Sequence, residues 1–142
     1  WSEAYYTDFT RYGGSRPIVV SYAASPGAEV FYSKTKLSQS PTANLNLPGG
    51  VFFQVEGAAL IKNAKNPQAG KQFIAFLRSP KVQQALQTEM WMHPIDPRTA
   101  IDPAFRFASQ PTGVSLPDAK TLGDKAPAWV KRWTQIVVKK SI

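Results

Sequence analysis

Proline and glycine are the residues that most restrict this chain, because its 12 prolines and 9 glycines divide it into short segments. Gly13 and Gly14 end the first helical pattern, whereas Pro67 and Pro80 each stand where a later helical pattern begins. Proline fits the first turn of a helix but not its interior, so these positions mark helix starts. Helical patterns alternate with short β-branched runs along the chain, which is typical of an α/β fold.

Two segments have the pattern of strands. Residues 17–22 contain three β-branched residues in succession, as in a strand that is covered on both faces. Residues 49–62 alternate before a second apolar run, and they contain Gly57, which predicts a bend or bulge. We therefore predict a buried strand and, after a polar loop, a longer extended element.

Apolar residues at helical spacing predict four helices, over residues 1–12, 66–79, 80–89 and 127–140. The first aligns Trp1, Tyr5, Phe9 and Tyr12, and the third places Val82, Ala85, Leu86 and Glu89 on one side. Trp129 and Trp133 lie on the apolar face of the last helix, so we expect it to dock through them. Residues 102–123 are rich in proline and polar residues and are predicted to be irregular coil.

The composition is that of a globular protein without the usual parts of a catalytic site. Of the 142 residues, 43% are hydrophobic, which is enough for a core. There is no cysteine and His93 is the sole histidine, which excludes disulfides, thiolate zinc sites and a serine triad formed within this chain. No apolar run reaches the roughly 18 residues of a membrane span. We predict no enzyme, catalytic residue, metal or cofactor.

Three residues are candidates for binding a ligand. Trp91 lies in a loop, residues 90–97, whose two prolines forbid a helix. No periodicity explains its burial, so it either lines a ligand site or is structural. Tyr22 ends the predicted strand, where ligands of α/β folds bind, but it could equally cover the edge of the core. The Ser25 hydroxyl is a polar contact or, more simply, the cap of the following turn.

The net charge suggests a different kind of function. Seventeen Lys and Arg against nine Asp and Glu give a net charge of +8, and such a surface attracts anions. Basic residues cluster near the C-terminus, at Lys125, Lys131, Arg132, Lys139 and Lys140. A basic nucleic-acid-binding domain is therefore an alternative, but the aromatic residues of this segment belong to the opposite helical face. We favour a solvated face and predict no nucleic acid partner.

Five stretches, taken in order, resemble the C-terminal half of the substrate-binding proteins of thiamine-type ABC importers. They are residues 1–5 (Trp-Ser-Glu-Ala-Tyr), 21–26 (Ser-Tyr-Ala-Ala-Ser-Pro), 54–59 (Gln-Val-Glu-Gly-Ala-Ala), the helical pair 66–86, and 91–94 (Trp-Met-His-Pro). The helical pair is shared by many binding proteins. The Ser-Tyr-x-x-Ser-Pro and Trp-Met-x-Pro pieces together point more narrowly to thiamine.

The resemblance implies a type II periplasmic-binding-protein fold, in which two α/β lobes close around a ligand by a hinge motion. Residues 1–24 would be the end of the second lobe and the strand returning to the hinge. Residues 25–142 would be the C-terminal portion of the first lobe, with the terminal amphipathic helix.

The resemblance also implies a site and a set of partners. Residues matching Trp1, Tyr22 and Trp91 line the cleft in thiamine-type members, and aromatic walls suit a flat cationic heterocycle. Ser25 would add a polar contact. The implied partners are thiamine or a related, possibly phosphorylated, solute, an ABC permease, and the N-terminal half of the same protein, in a periplasmic or extracellular location, secreted or lipid-anchored. A ferric-ion binding protein of the same fold is the alternative, with Tyr5 and Tyr6 as ligands.

Overall fold

Helices rather than strands form the regular structure in the computed structural model, which describes residues 1–109 and 118–140. The four α-helices are α1 (Ser25–Phe31), α2 (Pro67–Leu77), α3 (Pro80–Glu89) and α4 (Ala119–Trp133). Shorter helical turns cover Ala4–Asp8, Thr10–Tyr12, Pro103–Phe107 and Thr134–Val138. Within those two ranges, the only strand-like pairing is one parallel bridge between Phe9 and Arg16.

The chain divides into two compact units. The first comprises Trp1–Asn46 with the described part of Val55–Pro111, and it contains α1, α2 and α3. The second comprises Leu47–Gln54 with the described part of Thr112–Ile142, and it contains α4. Part of the predicted coil 102–123, namely residues 110–117, lies outside the described residues.

The predicted starts of α2 and α3 are confirmed. The Asn66 side chain accepts a hydrogen bond from the Ala69 N–H at 3.0 Å, and Ser79 accepts one from the Val82 N–H at 3.5 Å. Each helix then begins with a proline, which needs no hydrogen-bond acceptor in the first turn. Local sequence alone determines these two helix starts.

The strand predictions are wrong for the described residues, so these residues do not confirm the predicted α/β class. Residues 17–22 were expected to be buried, but Ile18 is 69% exposed and Val20 is 90% exposed. Residues 49–62 form no strand either, and Phe52 is 72% exposed. A strand is stable only when another backbone pairs with it, and among the described residues no segment pairs with either stretch.

The first predicted helix, residues 1–12, is interrupted. Phe9 has extended backbone (ψ 137°), which separates the turn Ala4–Asp8 from the turn Thr10–Tyr12. Gly13 ends the segment with a φ of 93°, a left-handed conformation that glycine adopts without strain. The predicted stop is confirmed, although the helix before it is not continuous.

The buried side chains of α3 are polar. The sequence instead predicted a packed side formed by Val82, Ala85, Leu86 and Glu89. Gln83 is 4% exposed and Gln87 is fully buried. The Gln87 amide donates to the Ala100 carbonyl and accepts from the Asp102 N–H, at 3.0 and 2.7 Å. Gln83 likewise joins the Leu77 carbonyl to the Ile95 N–H, at 2.8 Å each. Both glutamines fasten the loop after α3 to the helix, so their burial is compensated.

Helix α4 begins eight residues before the predicted start at Pro127, and it runs through this proline. Asp118 caps it by accepting from the Thr121 N–H at 2.9 Å, a capping signal that lay inside the predicted coil. The apolar face is present, but Trp129 is 46% and Trp133 57% exposed. The expectation that these two residues are core is therefore wrong for the described residues.

None of the helices in the described ranges has both the length and the apolar character needed to cross a membrane.

Candidate functional site

Trp1 and Tyr22, two of the three predicted aromatic residues, lie together. Their ring centroids are 6.2 Å apart, and Trp1 stacks on Tyr5 at 5.0 Å with an interplanar angle of 24°. Trp1 is 55% and Tyr22 70% exposed, so both rings offer free faces. We call the group formed by Trp1, Tyr5, Tyr6, Tyr12 and Tyr22 the N-terminal cluster.

A chain of hydroxyl groups connects Trp1 to helix α1. The Trp1 indole N–H donates to the Ser21 hydroxyl at 3.1 Å, and the Ser21 and Ser25 hydroxyls lie 2.7 Å apart. The sequence suggested that Ser25 caps α1, but it does not. The N-cap position is Ala24, and Ser25 is the first helical residue. Its hydroxyl instead faces Ser21, beside the exposed aromatic rings.

Glu29 is the charged residue beneath the N-terminal cluster, and sequence reasoning missed it. Its side chain is 6% exposed and forms an ion pair with Arg11 at 3.4 Å. The Tyr5 hydroxyl donates to Glu29 Oε1 at 3.0 Å and the Tyr12 hydroxyl donates to the same oxygen at 2.7 Å. The only sign of its role in the local sequence is that Glu29 is a lone acidic residue, one helical turn after Ser25.

The two tyrosines that contact Glu29 resist ionisation. Burial raises the pKa of the Tyr5 hydroxyl well above its usual value, and the hydrogen bond to Glu29 and its negative charge raise it further. The same causes, again with burial first, raise the pKa of Tyr12 to about 12. Both phenols therefore remain proton donors to Glu29 at any physiological pH.

Trp91 belongs to a second aromatic group, the Trp91 cluster of Phe31, Tyr32, Trp91, His93 and Phe105. Its ring stacks on the buried Phe105 at 5.9 Å and 17°, and meets Phe31 edge-on at 5.5 Å. Its indole N–H donates to the Tyr32 hydroxyl at 3.4 Å. The predicted loop is confirmed, and within it Trp91 has a φ of 55°. Positive φ is uncommon for a bulky residue and often marks a functional position.

His93 contributes an edge-on contact to the same cluster, with its ring 4.7 Å from that of Phe105. Partial burial lowers the pKa of its imidazole, so the neutral form predominates near neutral pH. His93 is therefore part of the packing of the Trp91 cluster.

The first turn of α1 has residues near both Ser21, which binds Trp1, and the Trp91 ring. Ser25 faces Ser21 of the N-terminal side, whereas a Cβ placed on Gly27 would be 3.6 Å from the Trp91 ring. Pro26 and Gly27 are both buried. Ser21 and the Trp91 ring thus lie near residues of the same helical turn, although Trp91 makes no ring contact with Trp1 or Tyr22.

A shallow apolar cavity of about 370 Å³ lies beside Trp1. Besides Trp1, it is lined by Ala4, Asp8, Arg16, Ile18, Val19 and Val20. Small-molecule sites in proteins are typically apolar clefts with a few polar groups. Trp1 therefore has one side in the N-terminal cluster and another lining this shallow, open depression, which Tyr22, Ser25 and Trp91 do not line.

The arrangement suits ligand binding better than metal coordination. No group of three or more His, Cys, Asp or Glu residues that could hold a metal ion occurs in the described ranges. Tyr5, one of the two predicted iron ligands, donates its hydroxyl to Glu29 and has a raised pKa. Because ferric iron binds the phenolate form, this hydroxyl would be a poor ligand. Exposed rings beside serine hydroxyls can instead stack on and hydrogen-bond a planar solute.

Comparison with known proteins identifies the class. Residues 7–89 match the family of bacterial extracellular solute-binding proteins. The match covers more than half of the chain, so the chain belongs to this family. It includes Tyr22, Ser25 and helices α1 to α3. Members bind solutes rather than transform them, which confirms the expectation of a protein that is not an enzyme.

The chain is also similar to proteins described as thiamine-binding periplasmic proteins. That of Salmonella typhimurium is 29% identical over 137 residues, that of Escherichia coli 30% over 138, and that of Brucella melitensis 33% over 135. The alignments cover 94–96% of this chain. The resemblance predicted from the sequence is thereby confirmed.

The chain spans only 38–39% of the length of these relatives, in their C-terminal part. No solved structure matched the chain significantly.

Proposed function

We propose that the protein captures thiamine, or a related solute with or without phosphate groups, in an aromatic cleft outside the cytoplasm. The observation that carries this proposal is the contact between Trp1 and Tyr22, whose exposed rings lie beside the Ser21 and Ser25 hydroxyls. Membership of the solute-binding family and similarity to thiamine-binding relatives support it.

Each proposed binding residue has a distinct role. Trp1 and Tyr22 would stack on the flat rings of the solute and attract its positive charge, at about 0.5–2 kcal/mol for each ring. Ser25 would donate a hydrogen bond. Trp91 would form an opposite wall once the cleft closes. The net charge of +8 favours phosphorylated forms at long range, but salt screens this attraction beyond roughly 8 Å.

The fold proposed for the complete protein is a type II periplasmic-binding-protein fold with two α/β lobes. Residues 1–24 would complete the second lobe and return to the hinge, and residues 25–142 would form the C-terminal portion of the first lobe. This proposed boundary would coincide with the start of α1 at Ser25. The N-terminal half of the same protein would supply strands that pair with residues 17–22 and 49–62, whose apolar side chains are exposed.

The remaining partner is a membrane permease. A binding protein located in the periplasm or outside the cell must release its solute to a transporter, and we propose that this is the permease of an ABC importer. Closure of the two lobes around the solute would present a surface that the permease recognises. The relatives are described as periplasmic, which supports this location.

Tryptophan fluorescence of the complete protein tests the proposed function. It should change on titration with thiamine, thiamine monophosphate or thiamine diphosphate, and not with unrelated amines. Trp1→Ala and Trp91→Ala should each weaken the tightest affinity by about 3- to 30-fold, as expected for one stacking contact. Lys131→Ala, at an exposed position of α4, is the control and should leave the affinity unchanged.

Two results would contradict this function. If none of the three thiamine compounds bound, the proposal that the solute is thiamine or a related compound would be wrong. Unchanged affinity in both Trp1→Ala and Trp91→Ala would remove the aromatic site.

A further inference from the structure

We infer that Glu29 is a positioning residue, which fixes the orientation of Trp1 by acting through Tyr5. The inference rests on the proposed function only where it concerns affinity for a solute. Its basis is the geometry beneath the N-terminal cluster, where a buried carboxylate holds the residue on which Trp1 stacks.

The Glu29 carboxylate is buried and has a partner on each oxygen. Its side chain is 6% exposed, and both oxygens are engaged, one by two tyrosine hydroxyls and the other by Arg11. A buried charge is stable only when such partners surround it. The carboxylate and its three partners therefore hold one another in place.

Tyr5 passes this constraint to Trp1. Tyr5 is 4% exposed, and its ring is the one that stacks on the Trp1 indole. The indole N–H is separately fixed by Ser21. The stacking contact thus restrains the plane of the indole and the hydrogen bond restrains its rotation within that plane, beside the looser ring contacts with Tyr6 and Tyr22.

Both constraints originate on the same helix. Glu29 and Ser25 lie four residues apart on α1, so their side chains project from the same helical face. Ser25 reaches Trp1 through Ser21, and Glu29 reaches it through Tyr5. An exposed indole held at two points loses less conformational entropy on binding a solute, which increases affinity.

Tyr12 provides a matched comparison within the molecule. Its hydroxyl donates to the same Glu29 oxygen as that of Tyr5, but its ring contacts Tyr5, Tyr6 and Arg11 rather than Trp1. Removing either hydroxyl takes one hydrogen bond from Glu29. Only the Tyr5 hydroxyl also restrains the ring beneath Trp1.

The test measures the near-ultraviolet circular dichroism of the complete protein without solute. The part of the spectrum that Trp1→Phe abolishes is the Trp1 signal. Tyr5→Phe should remove most of this Trp1 signal, whereas Tyr12→Phe should leave most of it. Glu29→Ala should reduce the Trp1 signal and Glu29→Gln should restore it, because an amide oxygen still accepts from Tyr5. Glu89→Ala, at the exposed end of α3, is the control and should have no effect.

Either of two results would overturn the inference: equal changes in Tyr5→Phe and Tyr12→Phe, or an unchanged Trp1 signal in both Tyr5→Phe and Glu29→Ala. If Glu29→Ala does not fold, Tyr5→Phe still decides the matter, because it removes a single oxygen atom. The Trp1 signal needs no solute, so failure to bind thiamine would remove the proposed function and leave this test standing.

Solute affinity provides a second measurement. Glu29→Ala should weaken binding by about 3- to 10-fold in the presence of Trp1 and should have no further effect in the Trp1→Ala background, because Glu29 acts through that ring. Equal weakening in both backgrounds would show that Glu29 acts on the solute by another route and would overturn the inference.

Discussion

At the residue scale, the cost of burying Glu29 determines the chemistry of its neighbours. A carboxylate removed from water needs donors, and here two phenols and a guanidinium provide them. The phenols must then keep their protons for the arrangement to persist. The protonation of Tyr5 and Tyr12 is thus tied to the folded state.

Alkaline titration should reveal this link. The pKa of Tyr12 is raised to about 12 in the folded protein, against about 10 in an unfolded chain. Because the folded state favours the protonated form, the stabilisation is complete below about pH 10 and is lost as the pH rises towards 12. Phenolate absorbance should therefore show a late-titrating tyrosine, and stability should fall over the same interval.

Tyr12→Phe is the control for this titration. It should remove one late step from the phenolate absorbance. A phenolate absorbance with no late step, or a late step that Tyr12→Phe leaves unchanged, would contradict the raised pKa of Tyr12.

At the scale of the elements, α1 is packed so closely that one of its residues must be glycine. A Cβ on Gly27 would lie 2.6 Å from the Ala104 carbonyl oxygen, in the turn Pro103–Phe107. Backbone cannot yield as a flexible side chain can. By contrast, a Cβ on Gly123, within α4, would meet nothing within 4 Å.

Alanine at these two positions should therefore have opposite effects. Gly27→Ala should destabilise the protein by about 1–3 kcal/mol through overpacking. Gly123→Ala should stabilise it by about 0.5–1 kcal/mol, because alanine favours a helix interior over glycine. Urea unfolding of both variants measures the two changes, and destabilisation by Gly123→Ala or stabilisation by Gly27→Ala would contradict this packing.

The same elements show what the sequence could predict. Helix starts at Asn66 and Ser79 were predictable because the capping residue, the proline and the first apolar residues are adjacent in the chain. The resemblance to substrate-binding proteins could also be predicted, because it rests on short contiguous motifs. Trp1 and Tyr22 were predicted as site residues, and the structure brings them into contact.

The errors arise where distant segments decide the outcome. The run at residues 17–22 has a strand's composition, but pairing requires a backbone that the described residues do not provide. Gln83 and Gln87 resemble surface residues in a helical pattern, because their backbone partners lie 6 to 15 residues away. Glu29 was missed for the same reason, since its partners come from the two helical turns Ala4–Asp8 and Thr10–Tyr12.

At the scale of the whole molecule, much apolar surface is exposed. On α4, Trp129 is 46%, Val130 62% and Trp133 57% exposed. Large contiguous apolar surfaces usually mark an interface. The proposed N-terminal half of the protein would cover this face, as it would pair with the unpaired segments.

Trp129→Ala tests that proposal. In the complete protein it should lower the free energy of unfolding by about 3 kcal/mol, as for a large buried side chain. In residues 1–142 alone the effect should stay below about 1 kcal/mol. Lys131→Ala, exposed on the other side of α4, should have little effect in either form. Equal effects of Trp129→Ala in both forms, measured by chemical denaturation, would argue against a covering half.

The paired glutamines of α3 also bear on how such a chain can change during evolution. Gln83 and Gln87 face the following loop together only because they lie four residues apart on one helix. A single residue inserted between them would turn one amide away by about 100° and shift the backbone that leads to Trp91. Length variation should therefore be rare in α3 and more readily tolerated in the polar stretch 33–48, where insertions would lengthen a surface loop.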